Sequence, residues 1–313
     1  TMIVFASAMA FFGIIQHLTG TDTIYGIRLS SHTSPFASYA NKHHFAALME
    51  MLIGIPLSML YGSATKKDKR ALLIICIILM GMAILLTSSR GGMISLLAVI
   101  GFVTLFNLTN KKDADDFLDV DEQRAASGRR KFMLIGASLT VVLVLFGAVL
   151  FLGGSSELLR GTGLAAPTDV TTGRSHFWWV ALQIIRDNPL IGTGLDTFGM
   201  AFTKFDTWNG TLRVEQAHND YLQILTDAGI LGFACVAAFI YLLFTRSFKL
   251  ISQTSDKFRS GVALGALAGC FGILIHSLFD FPLRTPANPY FFLLLVVIAT
   301  GTVNYPKLYR KRA

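Results

Sequence analysis

Charge is what this sequence has least of. Only 15% of its 313 residues are Asp, Glu, Lys or Arg, against roughly a quarter in an ordinary soluble domain. Hydrophobic residues make up 53%, and the mean hydropathy is +0.56. The charges sit in short clusters between apolar runs, several of which approach the roughly 20 residues that cross a hydrocarbon core. This pattern excludes a soluble single-core protein and predicts an all-α polytopic integral membrane protein. Cysteine is also scarce: Cys76, Cys235 and Cys270 all fall in apolar runs, so no disulfide framework is expected. No dinucleotide or phosphate-loop glycine pattern occurs, nor any internal repeat. His, Cys and carboxylates do not cluster at metal-ligand spacing, so no metal and no cofactor are expected. The net charge of +8 does not point to nucleic acid, because the basic residues flank the apolar runs and set their orientation instead.

Eight apolar runs read as membrane spans: about 3–15, 45–61, 71–86, 93–108, 132–152, 230–244, 262–279 and 290–303. Charges are read as absent from their centres. They divide the chain into three regions: N-terminal spans with a first outer loop (1–153), a large polar loop (154–229), and C-terminal spans (230–313). The chain begins at Thr1 and enters the first apolar run directly, which reads as truncation upstream of 1–153. Eighteen of the 27 Lys and Arg residues lie in four segments, the Lys66–Arg70 cluster, the 110–131 linker, the 246–259 loop and the C-terminus. Cytoplasmic loops carry such an excess. The large loop, the corner at Arg90 and the first polar segment are therefore expected on the outer, periplasmic side.

Within the large loop, 174–186 reads as a helix capped by Thr171 or Thr172, with Phe177, Val180, Ala181, Ile184 and Ile185 on one face. Trp178 and Trp179 suit a water–lipid boundary, and the helix is expected to lie on the membrane surface. Asn188-Pro189 stops it. A second helix is expected from about His218–Asp220 to Ala228-Gly229, leading into the sixth span.

Three residues stand apart from the charge clusters: Arg90, Arg174 and His218. Arg90 sits at a span end beside Gly91-Gly92, which permit close approach of a ligand or another backbone. A snorkelling Arg would look similar, but an outer Arg runs against the positive-inside bias. Arg174 opens a helix, where backbone N–H groups and a planar guanidinium together make a phosphate site. The bland alternative is a surface pair with Asp169 or Asp187. His218, beside Asn219 and Asp220, could take a proton near neutral pH if Asp220 or a backbone group orients it. His276, Asp280 and Arg284 read more simply as residues closing a short outer loop, with Asp280 and Arg284 as an ion pair. His43 and His44 read as interfacial packing that could line the same cavity.

These residues occur in ordered motifs: Ser88-Ser89-Arg90-Gly91-Gly92, Thr172-Gly173-Arg174, Asp187-Asn188-Pro189-Leu190-Ile191-Gly192-Thr193-Gly194, Ala217-His218-Asn219-Asp220-Tyr221-Leu222 and Gly229-Ile230-Leu231-Gly232. In this the sequence resembles the bacterial O-antigen ligase and Wzy-type O-antigen polymerase superfamily, over roughly residues 28–292. The resemblance implies a GT-C-like membrane fold of the inner membrane with its active site facing the periplasm. It implies inverting, metal-independent transfer of a glycan from undecaprenyl diphosphate to an acceptor hydroxyl, on lipid A–core for a ligase or on another glycan for a polymerase. Carried over, Arg90 and Arg174 would hold the diphosphate, with Arg28 as a third cation. His218 would act on the acceptor hydroxyl, with Asn219 and Asp220 in the substrate-binding set. Relatives usually have more than eight spans, so either upstream helices precede Thr1 or this is a shorter member. The competing reading is a transporter or flippase of lipid-linked sugars, which would place ionisable groups near the midplane and interrupt helices in matching halves.

Overall fold

A computed structural model describes residues 1–20, 23–25, 27–29, 34–109, 128–129, 131–147, 173–208 and 213–301. The described elements are α1 (Met2–Leu18), a two-stranded hairpin β1 (Thr23–Ile24) and β2 (Arg28–Leu29), α2 (Lys42–Tyr61), α3 (Lys67–Leu86) and α4 (Arg90–Thr109). There follow α5 (Lys131–Gly147), α6 (Arg174–Asp187), α7 (Phe198–Phe205), α8 (Asp220–Gln253), α9 (Lys257–His276), a 3₁₀ turn at Pro282–Arg284, and α10 (Ala287–Thr300). Each of the eight apolar runs overlaps a helix among the described residues. Five helices, α2, α3, α4, α8 and α9, are long and apolar enough to cross a membrane. The remaining three, α1, α5 and α10, are shorter apolar helices over the described residues, so five of the eight expected spans are matched by length and composition.

The bundle is organised around α2, of whose apolar window 94% is buried. Its main neighbour is α9, and small residues explain the close approach. A Cβ at Gly265 would run into the backbone of Gly54 and Ile55, and one at Gly269 into the backbone of Met51. With lipid outside, helices gain little from burying apolar surface. Close van der Waals contact through Gly and Ala supplies much of the attraction instead. The pairing is antiparallel: Met59 faces Gly261 at one end, and Glu50 meets His276 towards the other. The turns at 62–66 and 254–256, with Lys66, Lys67, Lys69 and Arg70 and with Lys249, Lys257 and Arg259 in or beside them, thus share one end of the bundle, and the opposite end carries the polar groups considered below.

Two expectations need correction here. Charges are not absent from the spans, because α2 carries Glu50 with 0% exposure. A single carboxylate in a mostly apolar run barely alters its hydropathy, which is why periodicity missed it. Nor does the apolar face of α6 lie on the membrane. Val180, Ala181 and Ile184 are buried against Phe198 and Phe202 of α7, with Val214 and Ala217, in a second small core. The N-cap of α6 is Gly173, in the left-handed region with φ 87°, while Thr171 and Thr172 lie outside the described residues. The expected helix after His218 is present, and it joins the following span as one 34-residue helix interrupted only at Gly229 (φ 61°, ψ −164°). A side chain at Gly229 would collide with the backbone of Leu190 and Ile191, so the loop motif at 187–194 packs into this break.

Candidate active site

Arg90 and Arg174 are each the first residue of a helix. The helix macrodipole disfavours a cation there. A guanidinium at that place adds to a field that already attracts anions. The corner before α4 is built for this exposure of N–H groups. Ser88 adopts φ 52°, and the Ser89 hydroxyl accepts from the Gly92 N–H at 3.2 Å, a capping bond of the usual N-terminal kind. Gly91, next to Arg90, packs against the imidazole of His276: a Cβ there would lie 2.7 Å from Nε2.

Arg174 donates through Nη1 to the Phe279 carbonyl at 2.6 Å, and Nη2 lies 3.9 Å from Asp280 Oδ2. The other Asp280 oxygen accepts from His218 Nδ1 at 2.9 Å. One carboxylate therefore joins Arg174 and His218, which are 44 residues apart in the chain. Asp280 is 4% exposed in its side chain, whereas His218 is 31% exposed and Arg174 23%. Burial by itself would raise the Asp280 carboxyl. The His218 hydrogen bond and the nearby charges of Arg174 and His276 outweigh it and hold the group well below the usual carboxylate range. Asp280 is thus an acceptor only, so Nδ1 of His218 carries a hydrogen, and in the neutral imidazole Nε2 is the nitrogen with the lone pair.

His218 itself adopts φ 50°, a left-handed conformation in which His is enriched but which costs an ordinary residue of order 1–3 kcal/mol. The next residue explains the need for it. The Asn219 side chain caps α8, accepting from Tyr221 N at 3.0 Å and Leu222 N at 3.1 Å, and donates to the Leu278 carbonyl. Asp220 is buried and accepts from Ser277 Oγ at 2.8 Å, while its N–H donates to the Ser277 carbonyl. The segment 277–280 is thereby stitched to the start of α8, and the backbone reversal at His218 aims the imidazole at Asp280. The group that orients His218 is Asp280, neither Asp220 nor a backbone group.

The expected Asp280–Arg284 pair does not form. Arg284 instead bridges Asp196 (2.9 Å) and the buried Asp227 (2.7 Å). The backbone N–H of Asp196 also donates to Asp227. His44 reaches the same end, packing edge-on to Phe281, whose ring also meets His218 (4.8 Å between centroids). Asp187, one alternative partner for Arg174, pairs with Lys204; Asp169, the other, lies outside the described residues. Arg28 lies in β2, paired with Ile24, and its side chain lies outside the described set. Among the described residues no three His, Cys, Asp or Glu groups converge as metal ligands. Sequence reading undervalued Asp280 and overlooked Glu50. The signal for Asp280 was its place one helical turn beyond His276; for Glu50 it was the carboxylate itself, since a charge inside a span marks function by default.

The architecture is that of a multi-pass α-helical membrane protein, with Arg174, His218 and Asp280 gathered at one end of the bundle. A family model, Wzy_C, described as O-antigen ligase, matches residues 75–237, just over half of the chain. The chain belongs to this O-antigen ligase family. The matched stretch contains Arg90, Arg174 and His218, whereas Asp280, Glu50 and His276 lie outside it. No curated protein matches the chain. Family membership supports activity of the O-antigen ligase type, acting on lipid-linked glycan and acceptor substrates in a membrane.

Proposed function

We propose that the protein is an inverting, metal-independent glycosyltransferase that moves a glycan from undecaprenyl diphosphate to an acceptor hydroxyl on the periplasmic face. The observation that carries this is the His218–Asp280–Arg174 constellation, set at the end of the bundle opposite the turns at 62–66 and 254–256. The Nε2 of His218 takes the proton of the acceptor hydroxyl as its oxygen attacks the anomeric carbon from the face opposite the diphosphate. Arg174 and Arg90 carry the charge that develops on the departing diphosphate. A diphosphate is a competent leaving group, so alignment and charge stabilisation are the main requirements, and two guanidiniums meet them. Arg28 is assigned a supporting cationic role, and Asn219 and Asp220 belong to the binding region as the residues that set the His218 backbone. The acceptor is a lipid A–core sugar for a ligase or a second lipid-linked glycan for a polymerase.

The test is transfer by the full chain in proteoliposomes, with an undecaprenyl-diphosphate glycan, each acceptor class and a chelator present. Arg90→Ala, Arg174→Ala and His218→Ala should each lose at least about a hundredfold in rate, while chelator leaves the unsubstituted protein unaffected. Full activity in the three variants would remove the site assignment, and inhibition by chelator would remove metal independence. One observation favours the second reading, a flippase: the ionisable pair Glu50–His276 lies inside the spans. Passage of labelled donor across the bilayer without product would establish that reading instead.

A further inference from the structure

One ionisable pair plays no part in the chemistry above. Glu50 of α2 and His276 of α9 are 0% and 1% exposed in their side chains, with His276 Nδ1 lying 3.0 Å from both carboxylate oxygens. Being enclosed, neither can meet substrate. Burying such a pair costs desolvation that its mutual attraction need not recover, and an apolar pair of equal volume often holds a fold as well or better. Helix packing alone therefore does not account for it.

What the pair touches does. His276 is the last residue of α9, and its carbonyl accepts from the N–H groups of Phe279 (2.8 Å) and Asp280 (3.1 Å), so it anchors the turn that carries Asp280. The opposite edge of its imidazole is covered by Gly91, the residue after Arg90. Glu50 thus fixes one ring that is wedged between the start of α4 and the turn bearing Asp280. The charged groups around that ring are Glu50 from α2, Asp280 from its own turn and Arg174 from α6. Asp280 also acts on His43 and His44 of α2, and Arg174 on His43.

We infer that Glu50 and His276 are positioning residues of the transfer site, setting the separation between Arg90 and the Asp280–His218 pair. This rests on the reading of Arg90 as a diphosphate ligand. Close packing makes such a wedge effective, because a displacement of about 1 Å between catalytic groups costs roughly a hundredfold in rate. Gly91 is needed for the same reason: any side chain there would push the ring away.

The experiment is a kinetic cycle in proteoliposomes on Glu50→Gln, Gly91→Ala, Arg90→Lys and the Glu50→Gln/Arg90→Lys double variant. Gly91→Ala introduces no buried polar group and improves helix propensity, so it probes the same contact if Glu50→Gln folds poorly. Both single changes should lower kcat per folded molecule about tenfold to a hundredfold, with both KM values within about twofold. In the Arg90→Lys background Glu50→Gln should cost less than about threefold more, because the two act through one group. Unchanged kcat in Glu50→Gln and Gly91→Ala overturns the inference, as does a double variant in which the two losses multiply. A loss confined to the yield of folded protein also overturns it. Wild-type kcat in Arg90→Lys and Arg90→Ala would instead remove the diphosphate assignment itself.

Discussion

Asp280 determines which nitrogen of His218 is available for chemistry. Its carboxylate accepts from Nδ1, is almost fully buried, and also lies within ion-pair reach of Arg174. Asp280→Asn preserves the shape but allows the imidazole to turn or change tautomer. It should lower kcat by roughly 10²- to 10⁴-fold, the range seen when an orienting carboxylate is lost. Stability gives a second readout with a definite sign. A carboxyl whose folded pKa is depressed contributes stability above its unfolded value, and loses it only as pH falls through the depressed value. The thermal midpoint of the native protein in detergent should therefore exceed that of Asp280→Asn by an amount that does not shrink between roughly pH 8 and pH 5. A gap that closes within that window would show that Asp280 titrates there and is not held as a carboxylate. The motifs singled out Arg90, Arg174 and His218, each an isolated polar residue beside a helix start, and the structure joins the last two through Asp280. Asp280 was not legible, because nothing local distinguishes an ion pair with Arg284 from one with a residue 62 positions earlier.

At the scale of elements, the site depends on how the loop motif is locked to α8. The turn at 187–194 sits over the Gly229 break: Thr193 N donates to the Thr226 carbonyl at 2.8 Å, and Gly194 N to the Asp227 carbonyl at 2.9 Å. Arg284 completes the lock by joining the 3₁₀ turn to Asp196 and to Asp227, the latter 1% exposed in its side chain. Arg284→Ala leaves a buried carboxylate without its cation and should cost about 2 kcal/mol or more, read as a lowered unfolding midpoint. Adding Asp227→Asn should recover part of that loss, since the uncompensated charge is then gone. If the double variant is no more stable than Arg284→Ala, the clamp is not electrostatic. The extents of α6 and the helix after His218 followed from periodicity and from Asn-Pro and Gly stop signals. The use of the α6 apolar face did not, because an amphipathic helix looks the same whether it meets lipid or another helix such as α7.

For the molecule as a whole, the antiparallel packing of α2 on α9 separates two ends. One bears the turns at 62–66 and 254–256 with the Lys and Arg residues that flank them; the other bears Arg90, His218 and Asp280. In the proposed orientation, which follows the positive-inside bias, the first end is cytoplasmic. Alkaline phosphatase fused after Asp206 should then be active and, fused after Thr254, inactive. The opposite pattern would turn the site to the cytoplasm and remove a periplasmic acceptor.

Composition and hydropathy by themselves determined the all-α membrane class and where the helices run, and the ordered motifs carried the resemblance to the family, because each is a property of short windows of chain. Only tertiary structure decided that Asp280 orients His218, that Glu50 is joined to His276 across 226 residues, and that the α6 face is enclosed. Those outcomes depend on which helices meet, and helix meeting is governed by the fit of small residues such as Gly54, Gly265 and Gly269. Hydrophobicity, averaged along the chain, carries no record of that fit.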